Sequence, residues 1–155
     1  MIIAATGHRS NKLGGSGTYA KLVDFAQNYM RKAMPVSVIS GMALGWDTAW
    51  AEAAYRQSIP FVAAVPFAGQ EAMWPETSKL KYRLLLRRAA RVHVICTGSY
   101  ARAKFQRRNE WMVDNADGVV ALWDGSTGGT ANCVQYARRV GKPIANLWSE
   151  WAAIQ

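Results

Sequence analysis

A run of small polar residues between a short apolar stretch and a helical pattern carries the clearest chemistry in this sequence. It extends from Asp124 to Thr130 and contains Gly128 and Gly129. A strand, a glycine turn and a helix start in succession direct backbone N–H groups at a phosphate. The two glycines let the backbone approach an anion, and Thr127 or Thr130 could cap the helix or bind a phosphate oxygen. An ordinary turn between a strand and a helix has the same pattern, so both interpretations stay open here.

A second pair of reactive side chains follows the first apolar run of the chain. Ile2–Thr6 is succeeded by Gly7, His8 and Arg9. The arginine could hold a phosphate by a two-pronged contact, and the histidine could donate a hydrogen bond or transfer a proton. A surface turn with a capping histidine is the alternative. No other His or Cys lies at metal-ligand spacing, so we expect no metal site, and we assign His93, inside an apolar run, to the core.

Polar groups suited to a sugar lie in the next loop. It runs from Ser40 through Gly41 and Gly45 to Asp47, a carboxylate at a predicted helix start. The carboxylate either complements the helix dipole or accepts hydrogen bonds from ribose hydroxyls.

A third loop combines polar groups with an aromatic ring. Gln70, Glu71 and Trp74 could together hold a nucleobase by its edge and its face. A solvated loop is the other interpretation.

The elements that must position these groups alternate regularly. Short buried strands and amphipathic helices follow one another six times, without an internal repeat or linker. This pattern predicts one Rossmann-like α/β domain over residues 1–155, with helices on both faces of a mainly parallel sheet of about six strands. Ligands of such sheets lie outside the carboxyl ends of the strands. Every cluster named above follows a predicted strand, and so does Thr97-Gly98-Ser99-Tyr100. We therefore expect Gly7, Gly41 and Gly129 to share one rim.

Composition limits the partners. The chain has 155 residues, half of them hydrophobic, and 19 Lys and Arg against 10 Asp and Glu, a net charge of +9. That excess favours an anionic partner: a nucleotide, a nucleic acid or another phosphorylated molecule. We find no membrane span or secretory signal, and two cysteines make no disulfide framework, so we expect a cytoplasmic protein. Some of the seven tryptophans are expected in a pocket or a subunit contact.

Several ordered motifs resemble those of one family. TGHR, SGMALGWDTAWAEAA, PFAGQEAMWP, RRNEWMVDNADGVVALWDGSTGGT and YARRVGKPI are similar to the YpsA-type family of the SLOG superfamily, which unites the DNA-processing protein A and Lonely Guy families. The match covers Ile2 to about Leu147. It implies a Rossmann-like protein that binds a nucleotide or an ADP-ribose-like derivative, requires no cofactor, and forms a homo-oligomer.

Two related families imply alternatives. Lonely Guy phosphoribohydrolases cleave nucleoside 5′-monophosphates, and Arg108 to Met112 is similar to their Arg-Lys-x-x-Met motif. Gly128-Gly129-Thr130 is similar to their glycine loop, but Cys133 stands where they carry a glutamate. A thiol replaces that carboxylate poorly, so hydrolysis requires another acid. The candidates for this activity are Arg108, Glu71 and Glu110, with Asp124 as a further substitute carboxylate.

The second alternative is single-stranded DNA binding. Ser40 to Ala53 is similar to the hallmark loop of DNA-processing protein A, and the net charge suits nucleic acid.

Our main hypothesis places the phosphate on Gly128, Gly129 and Thr130 beside Arg108 and Arg9. The sugar is then lined by Gly41, Gly45 and Asp47, and the base by Gln70 and Trp74. The full set of candidate ligand-binding residues is Gly7, His8, Arg9, Ser40, Gly41, Gly45, Asp47, Gln70, Trp74, Asn109, Asp124, Gly125, Gly128, Gly129 and Thr130.

Overall fold

Six parallel strands form the central sheet of the protein, and a computed structural model describes residues 1–155. The strands are β1 Ile2–Gly7, β2 Ser37–Ser40, β3 Phe61–Phe67, β4 Arg91–Cys96, β5 Gly118–Leu122 and β6 Ile144–Asn146. The helices are α1 Tyr19–Ala33, α2 Trp46–Arg56, α3 Glu76–Arg88, α4 Arg102–Asp114, α5 Gly129–Arg139 and α6 Trp148–Ala153. Two short 3-10 turns, Ser10–Lys12 and Ser16–Thr18, connect β1 to α1.

The order of the strands is β4-β3-β2-β1-β5-β6, and every neighbouring pair is parallel. The chain therefore moves outward from β1 to β4 and then returns to the other side of β1 to place β5. Helices α1, α2, α3 and α6 cover one face of the sheet, and α4 and α5 cover the other. Such a switch point leaves a crevice at the carboxyl ends of β1 and β5.

Alternating side chains of each strand enter two different cores, as the period of a β-strand requires. Ile3 and Ala5 join the larger core, which packs α1, α2, α3 and α6 against one face of the sheet. Ala4, between them, faces the opposite layer, where Met112 of α4 is buried. Val119 of β5 and Cys133 of α5 pack together on that same side. The predicted α/β/α layering with a six-stranded, Rossmann-like sheet is confirmed.

The edge of the sheet does not match the expectation that His93 lies in the core. β4 pairs only with β3, and most of its residues are exposed or half-buried. His93 is therefore not a core histidine with satisfied hydrogen bonds. It is half-buried, makes no side-chain hydrogen bond and stacks on Trp111 of α4, with the ring centres 4.6 Å apart. None of the helices has the length and apolar character that crossing a membrane requires.

Candidate functional site

A cleft of about 650 Å³ opens at the switch point between β1 and β5. Its walls come from the end of β1, the start of α2, the first half of α4 and the loop into α5. Polar and charged side chains dominate the lining. The candidates that the structure brings together here are Gly7, His8, Arg9, Asp47, Arg108, Asn109, Gly128, Gly129 and Thr130.

The glycine loop forms one end of the cleft. Gly129 is the first residue of α5, and no side chain caps this helix start. The N–H groups of the first turn have no intrahelical acceptor, and the helix dipole places partial positive charge there. A side chain added at Gly128 or Gly129 would meet no atom within 4 Å. The loop therefore presents unobstructed N–H donors to the cleft.

Two buried side chains of α4 tie the glycine loop to the loop after β2. Arg108 Nη1 donates to the Gly41 carbonyl oxygen at 2.6 Å, and its Nε donates to Asn109 Oδ1 at 3.0 Å. Asn109 Nδ2 in turn donates to the Gly129 carbonyl oxygen at 3.4 Å. A Cβ at Gly41 would lie 2.6 Å from Arg108 Nη1, so any other residue there would displace this guanidinium. Gly41 and Gly129 therefore lie on one rim, as expected, with Arg108 and Asn109 between them.

Arg108 keeps one nitrogen available in this arrangement. Its Nη2 makes no hydrogen bond, while Nε and Nη1 are both engaged. Burial lowers the pKa of Arg108, and Asp47 partly opposes that effect. An arginine has so high an intrinsic pKa that the guanidinium remains charged. It can therefore donate to an anion in the cleft.

Asp47 is the one carboxylate in the lining. Only 5% of the residue is exposed. Its Oδ2 accepts from the Ala43 N–H at 3.3 Å, while Oδ1 has no hydrogen-bond partner. Burial raises the pKa of Asp47 to about 6, against the opposing effects of Arg108, the Ala43 N–H and Arg9. An unpartnered buried acceptor is costly, and a ligand hydroxyl would satisfy it.

The loop after β5 holds His8 in position through contacts with Asp124. His8 Nε2 lies 2.8 Å from Asp124 Oδ1 and 3.1 Å from the Asp124 backbone nitrogen. The Ser126 hydroxyl and N–H, helped by His8, hold the pKa of Asp124 well below its usual range. Lys12 Nζ adds a hydrogen bond to the Ser126 hydroxyl at 2.7 Å. Asp124 therefore acts as a support for His8 and does not itself line the cleft.

The proposed base-binding cluster lies elsewhere, which corrects the assignment of Gln70, Glu71 and Trp74. Gln70 Nε2 donates to the Gly41 carbonyl and to the Tyr82 hydroxyl, both at 3.3 Å. Trp74 packs edge-on against Tyr82, with ring centres 5.1 Å apart. Glu71 Oε2 accepts from Arg83 Nε at 3.3 Å. These residues join the loop after β3 to α3, so none of them lines the cleft.

Other candidates support the cleft without lining it. Ser40 Oγ donates to the Asp47 carbonyl oxygen at 2.7 Å. Gly45 has φ +86°, and a Cβ there would lie 2.7 Å from the His8 carbonyl oxygen. Glu110 accepts a hydrogen bond from Gln106 at 3.2 Å. Gly125, on the loop behind His8, is exposed and also lies outside the lining.

None of the substitute carboxylates suggested for hydrolysis reaches the cleft: Glu71, Glu110 and Asp124 all lie outside its lining. Cys133 is buried between α5 and the sheet, and burial raises the pKa of its thiol to about 11. The thiol therefore stays protonated at neutral pH and cannot act as a base.

Sequence reasoning missed three residues of one wall of the cleft. Arg102, Phe105 and Gln106 line it from the first turns of α4. Tyr100, in the loop after β4, lines the same wall. Counting back from Asn109 in helical steps of three and four reaches Phe105 or Gln106 and then Arg102, so the spacing contained this information. No tryptophan lines the cleft. The remaining lining residues are Thr6, Asn11, Lys12, Thr127 and Asn132.

A parallel sheet with a polar crevice at its switch point defines a Rossmann-like α/β protein. The chain belongs to the YspA SLOG family, because the YpsA family model matches residues 3–142. Among its relatives, the SPbeta prophage-derived protein YoqJ of Bacillus subtilis is 30% identical over 135 residues. That alignment covers 77% of this chain and 79% of YoqJ.

Solved structures show the same fold at lower identity. DNA processing protein A from Helicobacter pylori, described with its single-stranded DNA binding mode, superposes with a TM-score of 0.67 and 17% identity. This match covers 93% of the chain and 63% of the Helicobacter protein. DNA processing protein A from Streptococcus pneumoniae gives a TM-score of 0.62 and 20% identity, covering 92% of this chain. The chain spans about half of that protein's length, 48%.

Proposed function

We propose that the protein binds a nucleotide, or a nucleotide-derived ligand of ADP-ribose type, in the cleft between β1 and β5. One observation carries the proposal: an uncapped helix start and the unpartnered buried oxygen of Asp47 line the same cleft. The first suits a phosphate, and the second suits a sugar hydroxyl. A phosphorylated ribose supplies both groups in one molecule.

Charge supports an anionic ligand. Four cationic side chains line the cleft, Arg9, Lys12, Arg102 and Arg108, against one carboxylate, Asp47. The lining therefore carries a net charge of +3 when Asp47 is ionised. Arg108 is buried, and its charge acts in a region where solvent screens it weakly. The bound phosphate group would neutralise part of this excess.

Binding is favoured over N-glycoside hydrolysis. Cys133 and the three substitute carboxylates all lie outside the lining, so Asp47 is the one carboxylate left to act at the sugar. We place the ligand in the cytoplasm, where nucleotides are abundant and where the free thiols of Cys96 and Cys133 stay reduced. The protein then acts as a sensor of its nucleotide ligand without a cofactor.

The test is calorimetric titration of the purified protein with AMP, ADP-ribose and ribose 5-phosphate. Gly129→Leu fills the open space at the helix start, so we expect it to weaken binding of every phosphorylated probe by a hundred-fold or more, on the order of 3 kcal/mol. The matched control is Gly17→Leu, which also has open space around it and lies outside the cleft. Thermal melts of both variants show whether the fold is intact.

Equal affinity of a folded Gly129→Leu variant and the wild type would remove the glycine loop from the proposal. Failure of all three probes to bind the wild-type protein would remove the phosphorylated-ribose ligand altogether. Chromatography of AMP and ADP-ribose after the titration tests the hydrolase alternative, because release of free adenine would show turnover.

A further inference from the structure

An aromatic pair stands out in the otherwise polar cleft. Tyr100 and Phe105 are the two hydrophobic residues of the lining, with ring centres 5.9 Å apart. Both rings pack edge-on against Phe67, at the end of β3. The ring centre of Phe67 lies 6.0 Å from that of Tyr100 and 5.6 Å from that of Phe105. Core packing accounts for Phe105, which is half-buried, but it leaves 69% of Tyr100 exposed. The exposed ring has a face available for a planar group.

The loop that carries Tyr100 is held in place. Lys104 Nζ donates to the Thr97 carbonyl oxygen at 2.7 Å and also to the Ser99 carbonyl oxygen. The same ammonium group lies 5.7 Å from the centre of the Phe67 ring. The loop before α4 is thereby fixed against its own helix. A ring on a fixed loop loses little conformational freedom when a ligand stacks on it.

The spacing along α4 relates this pair to the phosphate end. Asn109 contacts the Gly129 carbonyl, and Phe105 lies one helical turn earlier. Four residues of an α-helix advance by about 6 Å. The aromatic pair is therefore displaced by at least one turn from the glycine loop along the same wall. A ribose joined to a phosphate at the loop could place its base there.

We propose that Tyr100 and Phe105 form the nucleobase subsite of the cleft, in place of Trp74 and Gln70. This inference rests on the proposed function, since it needs a phosphorylated ribose at the other end. Base–aromatic stacking tolerates every base, because each has a π-face. Gln106, next to Phe105, supplies an amide at the base edge, and its carbonyl oxygen has no hydrogen-bond partner.

The experiment compares AMP with ribose 5-phosphate, which lacks the base. Wild-type protein should bind AMP at least about ten-fold more tightly, the gain typical of one stacked base. Tyr100→Ala and Phe105→Leu should each lose most of that gain while ribose 5-phosphate affinity changes by less than about two-fold. Phe105→Leu keeps the residue apolar, so it preserves the packing on Phe67. Thermal melts verify folding of each variant.

Two control variants sharpen the result. Tyr55→Ala removes another exposed tyrosine ring, outside the cleft, and should leave both affinities unchanged. Trp74→Leu removes the ring that sequence reasoning assigned to the base. This variant should also leave the affinities for AMP and ribose 5-phosphate unchanged. A Trp74→Leu variant that weakens AMP selectively would overturn the inference.

The outcomes separate the two proposals. Suppose that Gly129→Leu abolishes tight AMP binding and that Tyr100→Ala leaves it intact. This result would contradict the base subsite and leave the proposed function standing. Equal wild-type affinity for AMP and ribose 5-phosphate would do so too. If neither probe binds, the proposed function and the base subsite both fail. A single-stranded oligonucleotide that requires Tyr100 while AMP does not bind would also overturn the inference.

Discussion

At the scale of single residues, Asp47 shows the strongest conflict between the stability of the fold and ligand binding, because its ionised form serves the ligand and destabilises the folded state. Its raised pKa of about 6 exceeds the usual value of 3.8, so the folded protein binds a proton more tightly than the unfolded chain does. Between these two pKa values the folded state holds more protons, and stability falls as pH rises. At pH 7 and above the ionised carboxylate therefore costs stability, of the order of 3 kcal/mol.

Asp47→Asn should remove this cost, because the amide is neutral and keeps an acceptor for the Ala43 N–H. We expect the variant to be more stable than wild type at pH 8 by about 1 to 3 kcal/mol, and equally stable near pH 4. Urea denaturation at both pH values measures the difference. AMP affinity should fall about ten-fold at pH 8, since a charge-assisted hydrogen bond is lost. A variant less stable than wild type at pH 8 would contradict this account.

At the scale of elements, the start of α2 shows how tightly the first two loops pack. Gly45 precedes this helix with φ +86°, and the Trp46 N–H donates to the His8 carbonyl oxygen at 3.2 Å. A Cβ at Gly45 would lie 2.7 to 2.8 Å from backbone atoms of His8, Arg9 and Ser10. Backbone atoms cannot turn aside as a flexible side chain can. The loop that carries His8 and Arg9 therefore depends on this glycine.

Gly45→Ala should destabilise the protein by more than the roughly 2 kcal/mol that a left-handed conformation alone costs an alanine. Gly69→Ala is the matched control, because Gly69 has the same φ of +86° and no neighbour within 4 Å of its Cβ. Denaturation midpoints of the two variants should therefore differ, with Gly45→Ala the lower. Equal midpoints would show that the loop carrying His8 and Arg9 can move to accommodate a Cβ at position 45.

At the scale of the whole molecule, the +9 charge is spread over both helical layers. Lys and Arg occur on α1 and α3 of one layer and on α4 and α5 of the other. Only four of the 19 Lys and Arg residues of the chain line the cleft. Such a distribution favours a compact anionic ligand over a long polyanion, which needs a continuous basic groove.

The salt dependence of binding to a twelve-nucleotide single strand should therefore be limited by the four cleft cations. Four cleft cations at about 0.7 counterions each limit the slope of log affinity against log salt to about −3. Fluorescence anisotropy between low and physiological salt measures this slope. A much steeper slope, with affinity far above that for AMP, would favour extended single-stranded DNA binding. The expected homo-oligomer stays a prediction, which sedimentation of the same protein tests.

The sequence by itself determined the layered fold and the chain positions of the polar loops. Strand and helix periods are local, so alternation of the two predicted the parallel sheet, and chemistry at the carboxyl ends follows from that geometry. Gly129, Asp47 and His8 were all named in this way, whereas Arg108 was named through the resemblance of its segment to a motif of a related family.

Tertiary structure alone decided which loops share the cleft. The return of the chain to β5 beside β1 creates the crevice, and strand order depends on long-range packing that no local period encodes. For the same reason β4 becomes an edge, which leaves His93 half-buried, and the Trp74 loop packs against α3 instead of facing the cleft. The first turns of α4, with Tyr100 and Phe105, occupy that wall instead. Residue type and spacing predict a group's chemistry, whereas the three-dimensional path of the chain sets its neighbours.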